Sequence, residues 1–184
     1  RRIFRLSNCF LISLAYSKGN VLYKASPYLV KTFSYFCSAV FNYKEDEICS
    51  GFEAEEIFVK DAMGGHSGDD INKGRANAVQ LLGRFLYSIL DLDWQLVAIN
   101  GGNKRNAIAR EAKAVIAAES DTLDIINERL EEYASDVAEE YGAIETNLKL
   151  GYESVEGEYP VAVDEMTAWN LVAALCASPH GVLK

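Results

Sequence analysis

From Phe52 onward, apolar and polar positions switch between a period of two and a period near 3.6, and the switches predict the elements. Phe52 to Lys60 is rich in aromatic and β-branched residues and runs into Gly64-Gly65, which predicts a strand leading to a turn. From Asp70 to about Leu90 the apolar residues Ile71, Ala78, Leu82, Leu86 and Ile89 recur mostly at three- and four-residue steps. A helix is expected there, with Asp69 or Asp70 as its N-cap. Trp94 to Asn100 alternates and stops at Gly101-Gly102, and Asn106 to Ala118 is a second extended run, so the two read as neighbouring strands. Leu123, Ile126, Leu130, Tyr133, Val137 and Tyr141 form one stripe of a long helix. Its other face carries Glu128, Glu131, Glu132, Asp136, Glu139 and Glu140, a solvated surface. Leu148, Leu150 and Tyr152 alternate as a last strand. Asp164 opens a final helix through Met166, Trp169, Val172 and Leu175, which Pro179 ends. The order strand, helix, strand, strand, helix, strand is the split βαβ pattern of the α+β class. It implies a four-stranded antiparallel sheet with two helices on one face, an N-terminal extension and a C-terminal helix.

Composition narrows the function classes. The chain has 184 residues, 49% of them hydrophobic and 24% charged, enough for one globular domain with a sizeable core. A net charge of −9 argues against nucleic acid or an anionic membrane as partner, because phosphate binding relies on Lys and Arg. No apolar run approaches the length of a membrane span. The charge is uneven. Residues 1 to 44 hold seven basic residues and no Asp or Glu, which sets them apart from the acidic remainder. Arg1, Arg2 and Arg5 ahead of the apolar stretch Cys9 to Tyr16 imitate a signal peptide, and without an initiator Met the chain is expected to be a fragment. Cys9, Cys37, Cys49 and Cys176 have no C-x-x-C spacing, so they read as buried free thiols of a reducing cytoplasm.

The inventory for catalysis is thin. The two histidines, His66 and His180, are far apart in sequence, and H-x-x-x-H, H-x-D and G-x-S-x-G motifs are missing, so no metal site is expected in this chain. The unusual stretch is Gly64-Gly65-His66-Ser67-Gly68. Its glycines allow a tight turn, and the flanking residues give His66 little to pack against, so its side chain should be exposed. As a phosphate loop it is weak, since Asp69 and Asp70 would repel an anion.

The block from Gly64 to Ala78 (GGHSGDDINKGRANA), followed by Leu81-Leu82-Gly83-Arg84, resembles the lid-domain signature of the bacterial aminoacyl-histidine dipeptidases, zinc peptidases of the carnosinase superfamily. A second block, Ile99 to Ala112 (INGGNKRNAIAREA), is similar to that family's G-G-N-x-x-N-A-I-P-R-E-A, with Ala109 where Pro is usual. The resemblance runs from about residue 38 to the C-terminus. It implies a ferredoxin-like lid and dimerisation domain over 38–160, a helix over 161–184 returning towards a catalytic domain, and a basic segment 1–37 left from, or joining, that domain. It implies further that His66 is catalytic, reaching across a homodimer to the scissile carbonyl in the partner's active site, where an imidazole N–H can stabilise an oxyanion. Asn106 and Arg110 would bind the substrate through its peptide and carboxylate.

The sequence also departs from the family. No metal-ligand motif precedes the lid, and in Leu11 to Ser17, which faintly echoes the family's run into D-S-E, Ala15 and Tyr16 cannot ligate zinc. Zinc would belong to the parent enzyme and no cofactor to this chain. The expected partners are a second lid, the parent's catalytic domain and a dipeptide, in the cytoplasm. Plainer roles stand beside these: Asn106 shaping the loop after Gly102, Arg110 pairing with a surface acid, and the whole chain as a free-standing ferredoxin-like module that dimerises or binds a small ligand.

Overall fold

The computed structural model describes residues 2–6, 39–104, 106–155 and 159–181. The stretches Cys9 to Tyr16 and Leu11 to Ser17, Cys37 and Val182 lie outside the described residues. In chain order the elements are β1 (Arg2–Leu6), β2 (Ala39–Tyr43), β3 (Glu45–Glu47), β4 (Glu53–Lys60), β5 (Gly65–His66), α1 (Ala78–Ser88), β6 (Gln95–Gly101), β7 (Ala107–Ile108), β8 (Ala112–Ala118), α2 (Ser120–Tyr141), β9 (Lys149–Ser154), β10 (Val161–Val163) and α3 (Glu165–Ala177).

Four strands form one antiparallel sheet in the order β6-β8-β4-β9. Numbered along the chain as first to fourth, they stand in the order 2-3-1-4, the arrangement of a split βαβ unit, with the first and third strands central. The period-two alternation of β4 turns Ile57 and Val59 into the core, while Phe58 and Lys60 on the other face stay half-exposed. Small residues on β8, chiefly Ala112, Ala114 and Ala118, let the helices approach the sheet closely. A register shift between Leu96 and Ala98 marks a bulge on edge strand β6.

Both helices of the unit pack on one face. Leu81, Leu82, Phe85 and Leu86 of α1 and Leu123, Ile126, Leu130 and Val137 of α2 share a core with the sheet, each large side chain contributing about 1.5–3 kcal/mol on burial. The Phe85 and Tyr133 rings meet at 5.6 Å, and the Tyr133 hydroxyl donates to the Leu81 carbonyl. The acidic face of α2 is exposed as expected, and Glu140 on it pairs with Arg84. The third helix, α3, adds Leu171, Val172 and Leu175 to the same core against α1. It begins at Asp164, whose carboxylate accepts the Thr167 and Lys44 N–H groups.

Two expected elements differ. The first helix starts at Ala78 rather than at Asp70, and its N-cap is Asn77, which accepts from the Val79 and Gln80 N–H groups. Residues 67–74 are successive turns, because Asp70 is occupied with His66 and Gly74, at φ +69°, breaks the helical run. The extended run Asn106 to Ala118 is two strands, not one. Its first part, β7, leaves the main sheet to pair with β5.

Candidate functional site

Between β4 and α1 the chain makes its tightest excursion, and Gly65 shows why glycine is needed there. Its φ is +149°, and a Cβ would fall 2.6 Å from Asp70 Oδ2. The chain then pairs for two residues with a segment 41 to 43 positions away: Gly65 lies opposite Ile108 and His66 opposite Ala107. This ribbon joins the two sequence blocks, and the Ser67 N–H donating to the Asn106 carbonyl at 3.0 Å extends it.

His66 projects from the ribbon with its side chain 53% exposed. Its backbone is clasped by Asp70: the His66 N–H donates to Asp70 Oδ2 at 2.7 Å, and the Asp70 N–H donates to the His66 carbonyl at 2.9 Å. Asp70 also takes Lys73 at 2.6 Å and Arg75 at 3.3 Å, and Arg75 in turn donates to the Gly64 carbonyl at 2.6 Å. The Lys73 ammonium, then the His66 N–H and Arg75, hold the Asp70 carboxyl below its ordinary range. The turn is therefore fixed by charge-assisted bonds at each corner.

Arg110 is split in function along its length. Its Nε donates to the Ala62 carbonyl at 3.1 Å and its stem covers Gly64, so half of the side chain shapes the loop. It also lines an open cleft of about 650 Å³ with Gly65, Gly102, Lys104, Ala107 and Lys113. The structure thus brings His66, Asn106 and Arg110 into one region. Arg110 is on the cleft wall, and His66 and Asn106 adjoin the wall residues Gly65 and Ala107.

Residues that the sequence pattern did not reveal hold this region from below. Glu145, buried after α2, accepts the Met63 N–H at 2.6 Å and the Ala76 N–H at 2.9 Å, so one carboxylate pins both ends of the loop. Its partners lie 82 and 69 positions away, and no local periodicity marks it. His180 is half-buried beneath Asn77. Its Nε2 lies 3.1 Å from the Arg75 carbonyl and its Nδ1 3.4 Å from Asn77 Nδ2, a pairing that requires the Nε2–H tautomer. Burial pushes the His180 pKa down, against the pull of the Arg75 carbonyl.

Among the described residues no three His, Cys, Asp or Glu side chains converge where a metal ion could sit. The described residues do not fit a zinc ion. Among the same residues no helix is long and apolar enough to cross a membrane. Cys49 is exposed rather than buried, because it precedes β4 in a surface turn, and Cys176 is partly buried. Both are free thiols.

Residues 59–143 match the peptidase dimerisation domain family. The chain is 36% identical over 140 residues to the cytosol non-specific dipeptidase of Escherichia coli (strain K12), covering 76% of this chain and 29% of that protein. It is also similar to the crystal structure of an aminoacylhistidine dipeptidase from Vibrio alginolyticus, with a TM-score of 0.74 and 37% identity over 78% of this chain and 29% of that one. The chain therefore spans less than a third of the length of these relatives. The match over residues 59–143 and the fold and identity shared with these two relatives point to one assignment: residues 59–143 are a peptidase dimerisation domain.

Proposed function

We propose that this chain is the lid and dimerisation part of a cytosolic, zinc-dependent dipeptidase acting on Xaa-His dipeptides such as carnosine, and that His66 reaches the partner's active site to contact the scissile carbonyl. The observation that carries this reading is the β5–β7 ribbon. It presents an exposed His66 beside Asn106 and Arg110, although the two blocks lie far apart in sequence. A neutral imidazole N–H there can stabilise the oxyanion of a tetrahedral intermediate. Asn106 would bond the peptide, and the terminal amino groups of Arg110, beyond the Nε committed to Ala62, would take the substrate carboxylate. A homodimer through the lid and a separate catalytic domain holding the metal complete the assembly.

The test is a chimera in which residues 59–143 replace the matching segment of the Escherichia coli relative. His66→Ala should lower turnover by roughly 100-fold or more with folding unchanged, the size expected for one oxyanion donor. Mixing that mutant with a subunit that keeps His66 but lacks a metal ligand should restore part of the activity. Mixed dimers without recovery, or an unfolded alanine mutant, would place His66 within its own subunit or in a structural role.

A further inference from the structure

Gly68 differs from the glycines before His66, because its φ lies outside the left-handed region and backbone conformation does not explain the missing side chain. His66 does. A Cβ at Gly68 would stand 3.2 Å from the imidazole Nδ1 and 3.3 Å from Cε1, closer than ordinary van der Waals contact. The Gly68 N–H donates to that same Nδ1 at 3.1 Å. One observation is a steric allowance and the other a hydrogen bond, and both act on the same edge of the ring. The competing group is the Asp69 carboxylate, which would favour a proton on Nδ1, but at 3.8 Å it is beyond hydrogen-bond reach.

We propose that Gly68 is a positioning residue for His66: its N–H occupies the Nδ1 lone pair and its bare Cα leaves room for the ring, which fixes the neutral imidazole as the Nε2–H tautomer. Nε2–H is then the only donor on the ring, and a substrate oxygen is the kind of group it can meet. The clasp of Asp70 on the His66 backbone removes the remaining freedom of the residue. The catalytic meaning of this arrangement rests on the function proposed for His66, but the tautomer can be measured without any turnover.

The experiment is NMR on the 15N-labelled 184-residue chain at mildly alkaline pH, where an imidazole is neutral. Long-range spectra should show His66 as Nε2–H, and a nitrogen–nitrogen coupling through the hydrogen bond should connect the Gly68 amide to Nδ1. A His66 ring protonated on Nδ1, or a missing coupling, overturns the proposal. Gly68→Ala keeps the N–H but adds the crowding methyl, and it should abolish the coupling and mix the tautomers while the His180 ring signals stay in place. Retention of both coupling and tautomer would also overturn it. If the variant does not fold, the wild-type coupling still decides. In the chimera, Gly68→Ala should lower kcat by about 10- to 100-fold with KM little changed, as expected when a group is misplaced only for the transition state. A coupling that is present while His66→Ala leaves turnover intact would refute the role of His66 and leave this assignment standing.

Discussion

Two buried carboxylates show how environment sets the behaviour of one residue type. Glu145 spends its charge on two backbone N–H groups. Glu145→Ala should leave both unpaired and cost about 2–4 kcal/mol in urea denaturation, since bonds to charged groups contribute about 1.5–3 kcal/mol each and are not additive. Faster amide exchange at Met63 and Ala76 should accompany it, and unchanged exchange would show the loop to be held by other groups. Glu55 faces the opposite situation. Its carboxylate accepts from Asn127 Nδ2 at 3.3 Å, while among the described residues Glu55 Oε1 and Asn127 Oδ1 are buried with no hydrogen-bond partner. Burial raises its pKa, with the Asn127 bond opposing and Asp124 adding to the rise. A raised folded pKa means the folded state binds the extra proton. The stabilisation is therefore complete below the ordinary carboxylate range and is lost as pH rises through the folded pKa. Glu55→Gln, which carries a permanent donor, should gain stability over the wild type as pH rises through that window. A difference that stays constant with pH would rule out titration of Glu55.

At the level of elements, the start of α1 is the junction on which the site rests. Asn77 caps the helix, touches His180 and follows Arg75, so a single side chain links the loop, the helix and the chain's C-terminal segment. Asn77→Ala should cost about 1–2 kcal/mol by chemical denaturation, at the upper end of cap losses. Asn77→Asp, which retains the accepting oxygen, should recover most of this. His180 gives the junction a pH dependence of opposite sign to that of Glu55. Its folded pKa is depressed, so its contribution is present above the ordinary imidazole value and is lost as pH falls through the folded one. Amide protection over residues 75–80 should weaken as pH falls below the ordinary imidazole range, and His180→Ala should remove that dependence. Protection that does not change with pH would mean the His180 bonds carry no weight.

For the whole molecule, the peptidase dimerisation domain and the proposed placing of the metal in a separate catalytic domain lead to one expectation. The purified chain should self-associate at tens of micromolar, a concentration on the order of weak interface affinities, yet hydrolyse no dipeptide with added zinc. Strictly monomeric light scattering would contradict the first part. Carnosine turnover above a metal-only blank, lost on mutating a residue of this chain, would contradict the second. The core that supports the domain is shared by the sheet, α1, α2 and α3. Leu82→Ala should therefore cost about 2–5 kcal/mol without touching the ribbon.

The sequence by itself determined the order of the four sheet strands and the helices, the inward faces of β4 and α2, and the two blocks on which the resemblance rests, whereas Met166 and Trp169, expected on the apolar side of the last helix, are exposed and Leu171 is buried instead. Hydrophobic periodicity and glycine placement are local properties, which a chain carries whether folded or not. The stripe from Leu123 to Tyr141 and the alternation in Glu53–Lys60 kept the faces read for them. Only the tertiary structure decided where the first helix begins, that Asn106 to Ala118 divides into two strands, and that His66 and Asn106 share one ribbon. It alone showed Glu145 and His180 beneath the loop, because their hydrogen bonds join groups 69 to 105 positions apart. A bond across such a distance leaves no period in the sequence. It exists only once burial against α1 and the sheet has brought its two ends together.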